Sequence, residues 1–406
     1  MHVTVLGHSE GTLSNRIFKT GLWATGFCGY IHYITLLELP QAGQTTSAVK
    51  NRWRSHFVLS TSNQLPYAGM TANTAGPDRS STSAKGKATS ASTLDIVERS
   101  EGSMRSILIE NRYIRAVVLP DDGAKIVSLV RRNTGREFLL QPNPRQRSQF
   151  PHLGFEQHAY GFDECFPTIA PCEYPEGAFR GVPLPDHGEL WSGPWKYEIG
   201  KGHLQVWSEP RCLPCIFRKR IRLDADSVLI EYEIESVSDQ PFRYLWSAHP
   251  LLQIEPGCQI VLPPDVYSLL IGYSTGNHLG IPGTDCGWPI PRVSQGGEIN
   301  LSVIGNETAR TAAKLFTPQL SEGFCAVYYP KTDESISYHF DVKQVPYVGI
   351  WVCQGGWPSS GRGHFTAALE PCTGRHDSLA QAIEQNECSL LAPREKKRWE
   401  LRVHIQ

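Results

Sequence analysis

Three short stretches carry residue types that can move protons. Asp186-His187-Gly188 and Ala248-His249-Pro250 each set an imidazole beside a residue that breaks regular structure. Leu369-Glu370-Pro371 sets a carboxylate at the end of an apolar run. A histidine followed by Gly or Pro belongs at a turn or strand end, from which side chains line a cleft rather than a core. Pro371 biases Glu370 toward extended backbone and so gives its side chain a defined direction. An imidazole and a carboxylate that converge in one cleft form an acid/base pair, able to give a proton to one substrate atom while taking one from another. Taken singly, each of these residues reads first as a hydrogen-bonded or solvated loop residue.

Two other motifs point elsewhere. Gly272-Tyr273-Ser274-Thr275-Gly276 matches the G-x-S-x-G nucleophile elbow and follows an apolar run, Tyr267 to Ile271. An elbow must open into a helix that holds the strained serine. Asn277-His278-Leu279-Gly280-Ile281-Pro282-Gly283 cannot continue as one, so Ser274 is a serine without its context and His278 a loop residue. Cys212-Leu213-Pro214-Cys215 lacks the second Cys or His pair of a structural zinc site. A strand-like run rather than a helix follows it, so a turn flanked by two cysteines is expected. The eleven cysteines are too sparse for a secreted disulfide scaffold, and reduced thiols in a cytoplasmic setting are expected. No metal and no cofactor is expected.

The elements that must position these residues are strands. The clearest is a hairpin from Phe217 to Glu235. With a loop at Asp224–Ser227 it pairs Ile221 with Ile230 and Leu223 with Val228 on one face. The same register sets Arg220 opposite Glu231 and Arg218 opposite Glu233 on the other, and Lys219 interrupts the apolar side. Ile107 to Leu119 holds two β-type runs, Pro120-Asp121-Asp122-Gly123 is a turn signal, and Ala124 to Val130 resumes a strand. Further strands are expected at Ile336–Val342, Tyr347–Val352, Phe365–Leu369 and Trp399–Ile405, with one short helix at Ser378–Glu387. So many strands predict a large all-β domain of two packed sheets over 103–406.

Composition bounds the rest. With 40% hydrophobic residues the 406-residue chain can bury a substantial core, and 39 basic against 40 acidic residues leave no basic field for a nucleic acid. Residues 60–103 are rich in Ser, Thr, Ala and Gly without hydrophobic periodicity, and 1–102 is read as a mostly disordered extension outside the chemistry. Thr20–Leu37 is uncharged and follows Arg16 and Lys19, as in a signal anchor or signal peptide. It carries three Gly, three Thr and a His and barely reaches spanning length, so no stable membrane span is expected. Six basic residues and one acid between Gln41 and Leu94 faintly suggest a transit peptide, which is set aside with the rest of the extension.

From about Ile107 onward the chain resembles the aldose 1-epimerase (galactose mutarotase-like) family. The resemblance rests on Leu119 to Leu129 with Thr134 to Leu140, then His187-Gly188, His249-Pro250 and Leu369-Glu370-Pro371 in order, and the closing Trp399–Ile405 strand. It implies an antiparallel β-supersandwich and interconversion of the α and β anomers of an aldose by ring opening and reclosure. By resemblance Glu370 is the general base on the C1 hydroxyl, His249 the general acid at the ring oxygen, and His187 binds the sugar. The resemblance implies a small-molecule sugar as substrate, and a monomer or homodimer is expected.

The chain departs from the family after His249-Pro250, where Leu251-Leu252-Gln253 replaces an aromatic-rich continuation. The family's Asn-Arg pair for sugar hydroxyls has only Arg145 and Arg147 in its region. Tyr160 to Thr168 instead holds carboxylates among aromatics, a setting suited to sugar hydroxyls and the apolar sugar face. Asp163 is assigned to the sugar there, with Glu164 as the next candidate. Two alternatives stand beside the isomerase: a non-catalytic carbohydrate-binding β-sandwich, and a serine hydrolase using Ser274.

Overall fold

The strands of the chain assemble into two large antiparallel sheets, one of eleven strands and one of eight among the described residues, with two small two-stranded sheets beside them. The computed structural model describes residues 94–101, 104–142, 155, 159–294, 296–361 and 363–406. The expectations for Thr20–Leu37, for the Ser/Thr-rich residues up to 93, and for Arg145 and Arg147 lie outside them. Among the described residues no helix is long and apolar enough to cross a membrane.

The expected hairpin is present, with strands Cys215–Asp224 and Ser227–Ser236 in the expected register. Ile221 opposes Ile230, Leu223 opposes Val228, Arg218 opposes Glu233 and Arg220 opposes Glu231. Arg218 Nη1 lies 2.8 Å from Glu233, and Arg220 lies 3.7 Å from Glu231. Such exposed pairs contribute at most about 1 kcal/mol each, so they set register more than stability. The turn needs a left-handed residue, which Ala225 supplies at φ 50°. Lys196-to-Ser208 strands extend this sheet on one side and Lys396–Ile405 on the other. Trp399, Leu401, Val403 and Ile405 are buried on one face, as their spacing requires.

The larger sheet runs, through its middle, Lys125–Arg131, Phe162–Cys165, Ser247–Leu252, Phe365–Cys372, Tyr347–Gln354 and Thr311–Phe316. The two sheets pack face to face over aromatic side chains. Tyr232 stacks on Trp399 with ring centroids 5.4 Å apart, and Trp246 from the larger sheet's side packs edge-on against Trp399 and tilted against Tyr232. The short helix covers Leu379–Glu384, follows Ser378 without a side-chain cap, and stops earlier than its pattern suggested.

Two sequence expectations need correction. The sheet begins before residue 103: Asp95–Glu101 forms an edge strand paired along its length with Met104–Glu110. Its composition hid it, because an edge strand takes its hydrogen bonds from the neighbouring backbone and here buries little beyond Leu94 and Ile96. Lys219 does not interrupt the apolar face as a defect. It is fully buried, and its Nζ lies 2.8 Å from Glu164, which also accepts a hydrogen bond from Tyr232 at 3.1 Å. Glu164, one candidate for the sugar, therefore lies between the sheets.

Removing one member of such a pair leaves the other charge in the core. Lys219→Met is expected to lose about 3–5 kcal/mol in urea unfolding. A Lys219→Met/Glu164→Leu double variant should recover most of that loss; a single variant as stable as wild type would contradict the account.

Candidate active site

The site lies on one row of cross-strand neighbours. His249 pairs with Asp163 in the backbone register, and Ala248 with Glu164. Partners across two strands share a face while successive residues alternate. Asp163 and His249 thus point away from the inter-sheet core into which Glu164 points. Ser247 pairs with Cys372 and Leu251 with Ala368, which carries His249 to a place opposite Glu370. Directly opposed residues hold their Cβ atoms about 4.5–5.5 Å apart. Glu370 in turn opposes Gly349, and Gly349 opposes Phe316.

A buried lysine stands at each end of this row. Ile126 pairs with Phe162, so Lys125 falls beside Asp163, and its Nζ lies 3.0 Å from Asp163 Oδ2. The other oxygen, Oδ1, accepts a 2.9 Å hydrogen bond from His249 Nδ1. Burial alone would raise the Asp163 pKa, but Lys125 and His249 outweigh it and hold the carboxyl at about 2. With Asp163 ionised, the proton of that bond sits on His249 Nδ1, and Nε2 is the nitrogen left for a further partner. Asp163 itself is 1% exposed. Its carboxylate lies behind His249, which it orients.

At the far end Lys314 donates a short hydrogen bond to Glu370 Oε2. Gly349 makes this approach possible: a Cβ there would sit 3.1 Å from Glu370 Oε2 and 3.4 Å from the Phe316 ring. Glu370 is 1% exposed, and its other oxygen, Oε1, is buried with no hydrogen-bond partner. A buried carboxylate oxygen in that state is a strong acceptor waiting for a donor. Lys314 also lies 3.6 Å from Asp377 Oδ1. Burial raises the Asp377 pKa, with Lys314 opposing and Glu370 adding to the rise. Burial would lower that of Lys314, but Glu370 and Asp377 raise it, so the ammonium stays charged.

His187 reaches the row from a loop. Its backbone N–H donates to Ile169 O at 2.6 Å, and Glu189 N–H donates to Phe166 O at 2.8 Å, which ties the loop to the chain leaving the Phe162–Cys165 strand. Both His187 and Gly188 have left-handed backbones, at φ 57° and 69°. A Cβ at Gly188 would overlap the Phe166 carbonyl, so only glycine fits. Burial lowers the pKa of His187, the nearby His249 adds to this, and Asp186 opposes it. Phe155 stacks on the His187 ring at 3.4 Å between centroids, and meets His249 and Trp191 edge-on at 5.4 and 5.3 Å. A cavity of about 570 Å³ opens beside Asp377, lined also by Phe316, Arg375 and His376; His187 and His249 do not line it.

Three of the four assigned residues, His249, Glu370 and Asp163, are thus neighbours in one row, and His187 joins them from above. Ser274 is elsewhere: it is buried, accepts a bond from Leu279 N–H at 3.4 Å, and is followed by the 3-10 turn Thr275–Asn277 rather than a helix. His278 turns its Nδ1 to Thr275 O, 2.9 Å away, not to Ser274. Cys212 and Cys215 are free thiols. Sequence reasoning missed Lys125, Lys314, Asp377, Cys165 and Phe155. A lysine inside an apolar strand, as in Ala312-Ala313-Lys314-Leu315-Phe316, was a usable signal, since a charge there must find a buried partner.

No family model matches the chain, and no curated protein matches it. Solved structures do. A Klebsiella pneumoniae protein provisionally named an aldose 1-epimerase superposes with a TM-score of 0.57 at 13% identity, over 78% of this chain and 84% of that one. A galactose mutarotase related enzyme from Lactobacillus acidophilus gives 0.53 at 15%, over 74% and 97%. A galactose mutarotase-like protein from Clostridium acetobutylicum gives 0.52 at 14%, over 77% and 98%.

Two variants test the frame of the site. Gly188→Ala should cost about 1–3 kcal/mol from overlap and a left-handed backbone, read by thermal unfolding; an unchanged midpoint would mean that the His187 loop is not constrained as described. Asp122 lies next to this frame, accepting a bond from Tyr160 at 3.2 Å, and burial raises its pKa to about 6. The folded state then holds a proton that the unfolded state releases near pH 4. Its contribution is present below about pH 4 and is lost as pH rises through about 6. Asp122→Asn should match wild type near pH 4 and exceed it at pH 7.5, by at most about 3 kcal/mol. A stability difference independent of pH would contradict this.

At these identities the likeness concerns architecture, and the described domain has the galactose mutarotase-like β-supersandwich fold.

Proposed function

We propose that the chain is an aldose 1-epimerase-like isomerase that interconverts the α and β anomers of an aldose or modified aldose. The observation that carries this is the unpartnered Oε1 of Glu370, buried in register with His249. Glu370 Oε1 takes the proton of the C1 hydroxyl. His249, with Nδ1 engaged by Asp163, gives the Nε2 proton to the ring oxygen. The ring opens, the C1–C2 bond rotates, and the ring closes on the other face with the two transfers reversed. His187 hydrogen-bonds sugar hydroxyls, and Lys314 holds Oε2 so that Oε1 alone faces the substrate. Phe155 and Trp191 supply the aromatic surface against which an apolar sugar face packs.

A second reading has its own support. The Lys314–Glu370 ion pair neutralises the carboxylate, an arrangement that also suits a pocket that binds a sugar without turning it over. One experiment separates the two. Anomer exchange is measured by NMR on a panel of aldoses, beside sugar binding by calorimetry. The isomerase reading expects acceleration by wild type and a loss of at least about 100-fold in Glu370→Gln, the usual range for a positioned acid or base. Binding without acceleration by wild type supports the second reading, and acceleration that survives Glu370→Gln removes the first. Ser274→Ala should leave the rate at the wild-type value; its loss would revive a hydrolase.

A further inference from the structure

Cys165 takes no part in the proposed proton transfers, yet it belongs to the same cluster. It lies two residues along its strand from Asp163 and pairs in register with Ser247, so it shares the face of Asp163 and His249. The His187 loop folds back over the same strand end, where Gly188 bridges to Phe166. The result is that one donor atom each from Cys165, His187 and His249 lies within 4.8 Å of the other two.

We propose that Cys165, His187 and His249 form a binding site for a soft divalent cation, Zn²⁺ in first place. One thiolate and two imidazoles are a ligand set that zinc prefers over the hard oxygen-seeking cations. A tetrahedral ion with a sulfur at about 2.3 Å and nitrogens at about 2.0–2.1 Å needs its donors about 3.3–3.6 Å apart. Movements of about 1 Å in three side chains bring the present spacing to that value. Binding converts the thiol to thiolate, with its proton released to the buffer, so the site gains an anionic ligand as it gains the ion.

The surroundings are those of a metal site rather than of a chance contact. His249 presents Nε2 because its Nδ1–H is held by Asp163, itself held by Lys125 at 3.0 Å. A carboxylate behind a ligating imidazole fixes its tautomer and direction. His187 Nδ1 lies 3.0 Å from Asp186 Oδ1 without a hydrogen bond to it, so this imidazole keeps a nitrogen to offer an ion. The Phe155 ring stacks on His187 and meets His249 edge-on, so both imidazoles have an aromatic neighbour. Three protein donors leave a fourth position for water or a ligand hydroxyl.

The ion would occupy the nitrogen that the isomerase uses as its acid. Binding of the ion stands on the cluster alone; its further consequence, inhibition of anomer exchange by Zn²⁺, rests on the isomerase reading. The test therefore reads binding without sugar. The untagged full chain, stripped with a chelator, is titrated with Co²⁺ and followed by absorption. One equivalent should produce tetrahedral visible bands and a sulfur-to-cobalt charge-transfer band, both displaced by Zn²⁺. Cys165→Ser should lose the charge-transfer band, and His249→Gln should weaken binding at least about tenfold, with circular dichroism unchanged in both. Should Cys165→Ser fail to fold, Zn²⁺ protection of Cys165 from alkylation in wild type, located by mass spectrometry, decides the same point. No cobalt band in folded wild type, a band that survives Cys165→Ser, or alkylation unaffected by Zn²⁺ overturns the proposal. None of these results bears on whether the metal-free chain exchanges anomers, so the two readings fail separately.

Discussion

Two successive carboxylates, Asp163 and Glu164, are both buried, and strand alternation sends them to opposite faces of one sheet. Each needs a cation, because an unpaired charge in an apolar interior is far more costly than an exposed one. Lys125 reaches Asp163 within the larger sheet, and Lys219 reaches Glu164 from the smaller one. The strand Phe162–Cys165 is therefore locked in register on both faces. A slip by one residue would exchange the two carboxylates and strand both lysines. Every statement about the site depends on that register, since His249 faces outward only because it opposes Asp163.

The remainder of the row follows from the same geometry. His249 sits opposite Glu370 because their strands pair directly, and Glu370 meets Lys314 because Gly349 on the strand between them has no side chain. The row thus alternates cation, anion, imidazole and anion, ending at a second cation. Arranged this way, each charge is compensated by a neighbour in a region with little water. One oxygen of Glu370 is the exception, and such an exception in an otherwise satisfied network marks a place where function tolerates a cost to stability. The His187 loop shows the same trade, with two successive left-handed residues holding an imidazole against the strand end.

The fold is shared with proteins whose sequences have drifted to 13–15% identity. An extended sheet tolerates such drift because its interior asks only for apolar residues of suitable size at alternate positions. Catalytic power does not drift so freely, and fold alone does not carry it. The reading of this chain as an isomerase rests on the row itself. The same imidazoles and the Cys165 thiol offer a second use that excludes the first while a metal is bound, because His249 has a single nitrogen left to give.

The strands, the hairpin and its register were legible from the residues themselves. Alternation of Val228, Ile230, Tyr232 and Ile234 is a local property, and Arg218 and Arg220 could match Glu233 and Glu231 in only one way. His187, His249 and Glu370 were legible as residue types able to move protons, but only His187 lies in a loop; His249 and Glu370 sit inside the strands Ser247–Leu252 and Phe365–Cys372, which Pro250 and Pro371 do not end. The edge strand Asp95–Glu101 was not legible, because its hydrogen bonds come from a neighbour rather than from its own composition. Nor were the roles of Asp163, Lys125, Lys314 and Cys165, whose partners come from other strands and loops, 56 residues away in the case of Lys314 and Glu370. Local sequence determines which way a side chain alternates along its strand. Which strands lie side by side, and therefore which charge faces which, is decided only when non-local pairing closes the sheet.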